Sequence, residues 1–189
     1  HTLTHLNGKR EDSYFWMNMR DTPEILEYLE SENSYYEAQT AHTKLFQDSL
    51  FEEMKARIKE DDSSVPYKHN GYWYITKYEV GKEYPIYTRK KESLNATEET
   101  LLDCNEMAKG FDYFSLGGFS VSPDNSLCIF STDTFSRRQY TLGVKNLITG
   151  AILPDIIENT TGSASWAEDS NTFFYASKNE KTLRSEAIF

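Results

Sequence analysis

The chain has 189 residues, of which 38% are hydrophobic and 14% aromatic, and its 30 acidic against 20 basic side chains give a formal net charge of −10. That length accommodates one domain with a core, or one domain with an appendage, and the apolar fraction is that of a globular chain rather than a disordered one. The charge argues against a nucleic-acid partner, which needs clustered Lys and Arg for phosphate, and no apolar run approaches the roughly 20 residues of a membrane-spanning helix.

An acidic surface serves solubility first and also admits a cationic partner. Cys104 and Cys128 make no disulfide framework, and without a CxxC or a Cys/His cluster no zinc site is expected. The two are predicted to be reduced, packed thiols. The opening HTLTHLNGKRED has neither the basic end nor the apolar segment of a secretory signal. This points to the cytoplasm, with the periplasm left open because the chain does not start with Met and its true beginning is expected to lie upstream.

The first part reads as helical. Asp21 or Thr22 can cap an N-terminus with Pro23 and Glu24 in the first turn, after which Ile25, Leu26, Leu29 and Tyr36 fall near one face. In TKLFQDSLFEEMKARIKED the apolar residues Phe46, Leu50, Phe51, Met54 and Ile58 recur at helical spacing, a stripe that must dock on something. From Ser64 the period changes to strands and short turns: SVPYKH, the Asn70-Gly71 turn, YWYITKY, a turn containing Gly81, YPIYTRK and TLLD. The cadence returns as YFSLGGFSV, LCIFST, RQYTLGV and AILPDII.

Between Phe119 and Thr134 stands FSVSPDNSLCIFSTDT, where Pro123 presets one turn position and Asp124 and Asn125 tolerate tight-turn geometry, so two strands reverse there. SWAEDSNTFFYAS repeats it, with Asp169 standing 45 residues after Asp124 and Phe174 the same distance after Ile129. A period of about 40 to 50 residues with four short strands each is the signature of a β-propeller blade. Blade one is therefore expected over 65–103, blade two over 113–157, and blade three from near Ser163, with KTLRSEAIF as its third strand. The fold class is mainly β: an N-terminal helical arm over residues 1–62, then a partial propeller over 63–189 of two to three blades. Known propellers close with about four blades or more, so the sequence reads as truncated.

No catalytic constellation is legible. Gly118-Phe119-Ser120-Val121-Ser122 lacks the second glycine of a nucleophile elbow, and neither GxGxxG nor GxxxxGK[ST] occurs. The histidines are His1, His5, His42 and His69, with none after residue 69, so a Ser-His-Asp arrangement would have to recruit one of these four, each in a terminus, a helix or a strand beside a turn. Asp61 and Asp62 read as a solvated charge run. The sequons at Asn95 and Asn159 are of a kind that arises by chance, and Tyr72, Trp73 and Tyr74 alternate faces as blade packing requires. No catalytic, metal-binding or cofactor-binding residue is assigned.

EDSYFWMNMRDTPEILEYLESENSYYEA and LFEEMKARIKEDDSSVPYKHNGYWYITKYEVGKEYPIYTRK resemble the N-terminal region of the prolyl oligopeptidase family of serine peptidases. LLDCNEMAKG, the FSVSPDNSLCIFSTDT hairpin, YTLGVKNLITGAILPD and the SWAEDSNTFFYAS repeat are similar to that family's first blades, in the same order. RIKEDDSSVPY and GKEYPIYTR point within it to the oligopeptidase B branch. The resemblance implies a seven-bladed propeller stacked on an α/β-hydrolase domain, the helical arm packing on the latter, and cleavage of short peptides after Arg or Lys. It also implies that the hydrolase domain and its catalytic Ser, His and Asp lie outside this chain. The propeller would gate substrate size, and the chain taken alone is expected to be inactive and to self-associate. The other reading is a stand-alone TolB-like propeller that binds proteins, which would need neither triad nor hydrolase and is not preceded by such a helical arm.

Overall fold

A computed structural model describes residues 1–189, and the chain divides into two compact units, His1–Ile58 and Lys59–Phe189. The first unit opens with strands β1 (Thr2–His5) and β2 (Gly8–Glu11), an antiparallel hairpin in which His5 pairs Gly8. Helix α1 (Pro23–Thr40) starts where Pro23 supplies a ready-made helical φ, with Thr22 as its N-cap in extended geometry and Asp21 at φ 68°. A one-turn 3-10 segment, Ala41–Thr43, leads into α2 (Lys44–Ala56). Ile25 is buried, whereas Phe46, Leu50, Phe51, Met54 and Ile58 are all exposed, so the amphipathic stripe of α2 has no partner within its unit.

The second unit is built of antiparallel meanders. Strands β3 (Asp62–Ser63) and β4 (Tyr67–His69) both pair β5 (Tyr72–Tyr78), which continues through β6 (Ile86–Lys91) to β7 (Glu98–Asp103). The Asn70-Gly71 turn joins β4 to β5 with φ of 45° and 80°, the mirror-image turn whose twist suits a hairpin. Asp103 then accepts from the backbone N–H groups of Asn105 and Glu106, capping the short helix α3 (Cys104–Met107).

A second sheet runs in the order β13-β12-β11-β10-β9-β8. Strands β8 (Ser115–Val121), β9 (Leu127–Asp133) and β10 (Tyr140–Asn146) are followed by the 15-residue β11 (Ile152–Trp166), then β12 (Phe173–Lys178) and β13 (Ser185–Ile188). The end of blade two and the start of blade three, expected as separate strands, are thus one: β11 pairs β10 through its first half and β12 through its second. Asn159 at φ 57° and Gly162 at φ 88° bend it between those duties. Gly162 has no alternative, because a Cβ there would lie 2.7 Å from the Tyr140 ring.

The repeat holds to the residue. Val121 pairs Cys128 in one hairpin and Trp166 pairs Phe173 in the other, each 45 positions apart along the chain. Inter-blade packing follows from it. Tyr74, Leu101 and Leu102 of blade one enclose Phe130 of blade two, with Val121 beside them; Ile129, Leu142 and Val144 of blade two pack against Trp166, Phe173 and Tyr175 of blade three. The Lys145 ammonium on β10 ties the first pair further by donating to the backbone carbonyl of Leu101 at 2.7 Å.

The two turns share a charge device. The Asp124 carboxylate accepts from Ser122 Oγ, Ser126 Oγ and Ser126 N at 2.6, 2.7 and 3.0 Å, which holds its pKa down to about 2. Asp169 is held below the ordinary carboxylate value by the backbone N–H groups of Asn171 and Thr172 and by the Thr172 hydroxyl. A carboxylate whose folded pKa lies below its unfolded value of about 3.9 contributes stability above that value and loses it as the pH falls through the folded one. Acidification from about pH 4 to pH 2 should therefore lower the unfolding midpoint, and the double variant Asp124→Asn, Asp169→Asn should show a shallower fall. Equal slopes in thermal melts of the two proteins would rule this out.

Candidate functional site

Three hairpin turns of the second unit, those joining β4 to β5, β8 to β9 and β11 to β12, meet at one rim. Asn70 donates through Nδ2 to the Pro123 carbonyl at 2.6 Å, Asn125 donates through Nδ2 to the Asn70 carbonyl at 3.3 Å, and the Asp124 N–H donates to Ser170 Oγ at 3.0 Å. Asn125 and Ser170 occupy matching left-handed positions in their turns, with φ of 64° and 59°, and Asn70 is left-handed in its own two-residue turn, with φ of 45°. The left-handed region suits Asn, whose short polar side chain tolerates it.

Below this rim a hollow of about 610 Å³ is lined by residues of all three blades, including His69, Tyr74, Ser122, Trp166 and Glu168. Trp166 forms its wall, donating from Nε1 to the Ser120 carbonyl at 3.0 Å while its ring meets Phe173 edge-on at 5.4 Å. Further along β8, Gly117 admits no side chain, since a Cβ there would come within 2.6 Å of Ser131 Oγ on β9 and of the Tyr140 ring on β10. The wall thus combines the aromatic rings of Tyr74 and Trp166 with small residues such as Ser120 and Ala164.

The side chains that sequence reading weighed for chemistry are engaged in turns or stand apart from one another. Ser122 is buried, with Oγ donating to Asp124 and accepting from the Leu127 N–H at 2.9 Å, so it is consumed by the turn. His1 stacks on Phe15 at 3.7 Å, His5 and His42 are exposed, and His69 stands beside the Tyr74 ring at 6.4 Å. Asp61 is exposed, and Asp62 pairs with Lys59 at 3.2 Å. Asn95 lies in an exposed turn, and Asn159 donates from Nδ2 to Glu180 at 2.9 Å. Cys104 and Cys128 are free and buried, and desolvation pushes their thiols up to about 11 and about 12. Tyr72, Trp73 and Tyr74 alternate as expected: Tyr74 is in the core, while Trp73 donates from Nε1 to the Glu92 carbonyl at 3.2 Å and takes Lys68 over its ring.

One group went unnoticed in the sequence. The Arg89 side chain is 3% exposed, pairs from Nε with Glu99 at 2.8 Å, lies over the Tyr72 ring at 4.0 Å, and donates from Nη2 to the Asn125 carbonyl of blade two at 3.2 Å. Its only signal was a cation in the middle of the strand YPIYTRK, and which face it takes depends on the neighbouring blade.

The model of the prolyl oligopeptidase N-terminal β-propeller domain matches residues 1–187. The dipeptidyl aminopeptidase BI of Pseudoxanthomonas mexicana is 40% identical, over 96% of this chain and 27% of that protein. Protease 2 of Moraxella lacunata is 33% identical, over 90% and 26%. The solved structure of oligopeptidase B from Leishmania major superposes with a TM-score of 0.84 at 32% identity, covering 95% of this chain and 26% of that one. The chain thus spans about a quarter of the length of these relatives. With two blades and the start of a third in the order of that domain, the chain belongs to the prolyl oligopeptidase family, of which it carries N-terminal β-propeller sequence.

Proposed function

We propose that this chain is the N-terminal part of an oligopeptidase B-type serine peptidase that cleaves short peptides after Arg or Lys. The observation that carries the reading is the likeness to oligopeptidase B from Leishmania major over 95% of the chain. In this reading the propeller part, residues 63–189, limits substrate size: turns that hydrogen-bond from blade to blade keep the rim closed against folded domains while extended peptides pass. The net charge of −10 raises the local concentration of basic peptides. The helical arm, residues 1–62, supports the hydrolase domain through the exposed stripe of α2. The enzyme works in the cytoplasm, without a cofactor, and touches neither nucleic acid nor membrane. No helix is long and apolar enough to cross a bilayer.

A second reading has its own support, since the 40% identical relative is named for removing dipeptides. The whole protein, assayed on an N-blocked peptide ending in Arg-p-nitroanilide and on a free dipeptide p-nitroanilide, separates them. Turnover of the blocked Arg substrate, with little on blocked substrates ending in an apolar residue, is expected. Turnover of free dipeptides alone overturns the first reading in favour of the second.

Residues 1–189 on their own are expected to self-associate. Each large apolar side chain of α2 gains about 1.5–3 kcal/mol from burial, against the entropy of joining two bodies. Sedimentation equilibrium at micromolar concentration should show a dimer or larger; a stable monomer that binds no hydrophobic dye would contradict it.

A further inference from the structure

Three buried side-chain atoms at the seam of blades one and two have no hydrogen-bond partner in the protein: Tyr74 Oη, Arg89 Nη1 and Asn125 Oδ1. Strand register places the first two together. Tyr74 on β5 stands opposite Arg89 on β6, and Arg89 stands opposite Glu99 on β7, so the three side chains share one face of blade one. That face meets the turn of blade two, where Arg89 Nη2 donates to the Asn125 carbonyl at 3.2 Å. The Asn125 amide is oriented by its Nδ2 bond to Asn70, which leaves Oδ1 as an acceptor. Arg89 is 3% and Tyr74 5% exposed, so bulk solvent does not serve these atoms.

We propose that a single water molecule is built into this seam, accepting from Arg89 Nη1, donating to Asn125 Oδ1 and hydrogen-bonded to Tyr74 Oη. A guanidinium N–H only donates, an amide oxygen only accepts and a phenol does either, which together match one water and its two protons and two lone pairs. Buried waters typically make about three hydrogen bonds to such groups. An anion would suit the two donors but would face the Asn125 oxygen and the Glu99 carboxylate, while a cation would face the guanidinium. Neither fits all three atoms. The water links two blade-one side chains to the blade-two turn directly behind the hollow that Tyr74 and Asn125 line, and so holds that wall at a fixed spacing.

A crystal structure of the whole protein, at a resolution that shows ordered solvent, tests this. A solvent peak within about 3.2 Å of all three atoms is the expected result, unchanged when crystals are soaked in bromide. Tyr74 Oη donating directly to Asn125 Oδ1 with no solvent between them, or an anomalous bromide signal at the peak, would overturn it. In Arg89→Met, which keeps the apolar stem and removes the donors, the peak should be lost; a peak that stays on Tyr74 and Asn125 alone shows that the guanidinium does not hold the water and sinks the assignment.

Discussion

Replacing Ile129 by alanine should destabilise the second unit by about 2–5 kcal/mol, the range for truncating a fully buried aliphatic side chain. Ile129 is 1% exposed on β9, where Leu142 and Val144 flank it and Trp166, Phe173 and Tyr175 close over it from blade three. The loss combines the transfer of three carbons with a cavity whose walls sit on two blades, and neither blade can shift to fill it without disturbing the strand ladder they share. Ile156 is the control. It lies on β11, next to Ile157 but on the opposite face, and is 65% exposed, whereas Ile157 packs on the Ile129 cluster. Ile156→Ala should stay within about 0.5 kcal/mol. Urea unfolding followed by tryptophan fluorescence reports both, and comparable costs for the two variants would mean that blades two and three do not share this core.

The hairpins were legible because their chemistry is local. Ser122-Pro123-Asp124-Asn125 carries its own turn, and its repeat at Asp169 set a spacing that the Val121–Cys128 and Trp166–Phe173 pairs keep. The helix starting at Pro23 was legible for the same reason. The hairpin of β1 and β2 was not foreseen, although Asn7-Gly8 stands at its turn, because flanking residues as polar as Lys9, Arg10 and Glu11 show no alternation. The continuity of β11 was not foreseen, since blade two was expected to end at residue 157 and blade three to start near Ser163; at Asn159 and Gly162 the chain only bends, and Thr160 Oγ1 donates to the Tyr140 carbonyl at 2.9 Å and Ser131 Oγ to that of Gly162 at 2.7 Å. Arg89 and the rim were illegible in a stronger sense. They exist only once two blades lie side by side, and no single segment encodes that meeting.

Residues 1–189 expressed alone should leave an Arg- or Lys-ending chromogenic ester at the rate seen in buffer, whereas the whole protein should turn over at the 1–10³ per second typical of enzymes. Acyl transfer needs a nucleophile, a base in hydrogen-bond reach and donors for the developing oxyanion. Ser122 is locked between Asp124 and the Leu127 N–H, and the Ser120 carbonyl is taken by Trp166. The two thiols, pushed up to about 11 and about 12, would be ionised at neutral pH to about one part in ten thousand or less, and both are buried. His69 is the sole histidine of the second unit, and it stands by an aromatic ring. Turnover that a serine-directed fluorophosphonate abolishes, in a preparation shown free of other proteases, would place a nucleophile within these 189 residues and remove the division of labour proposed for them.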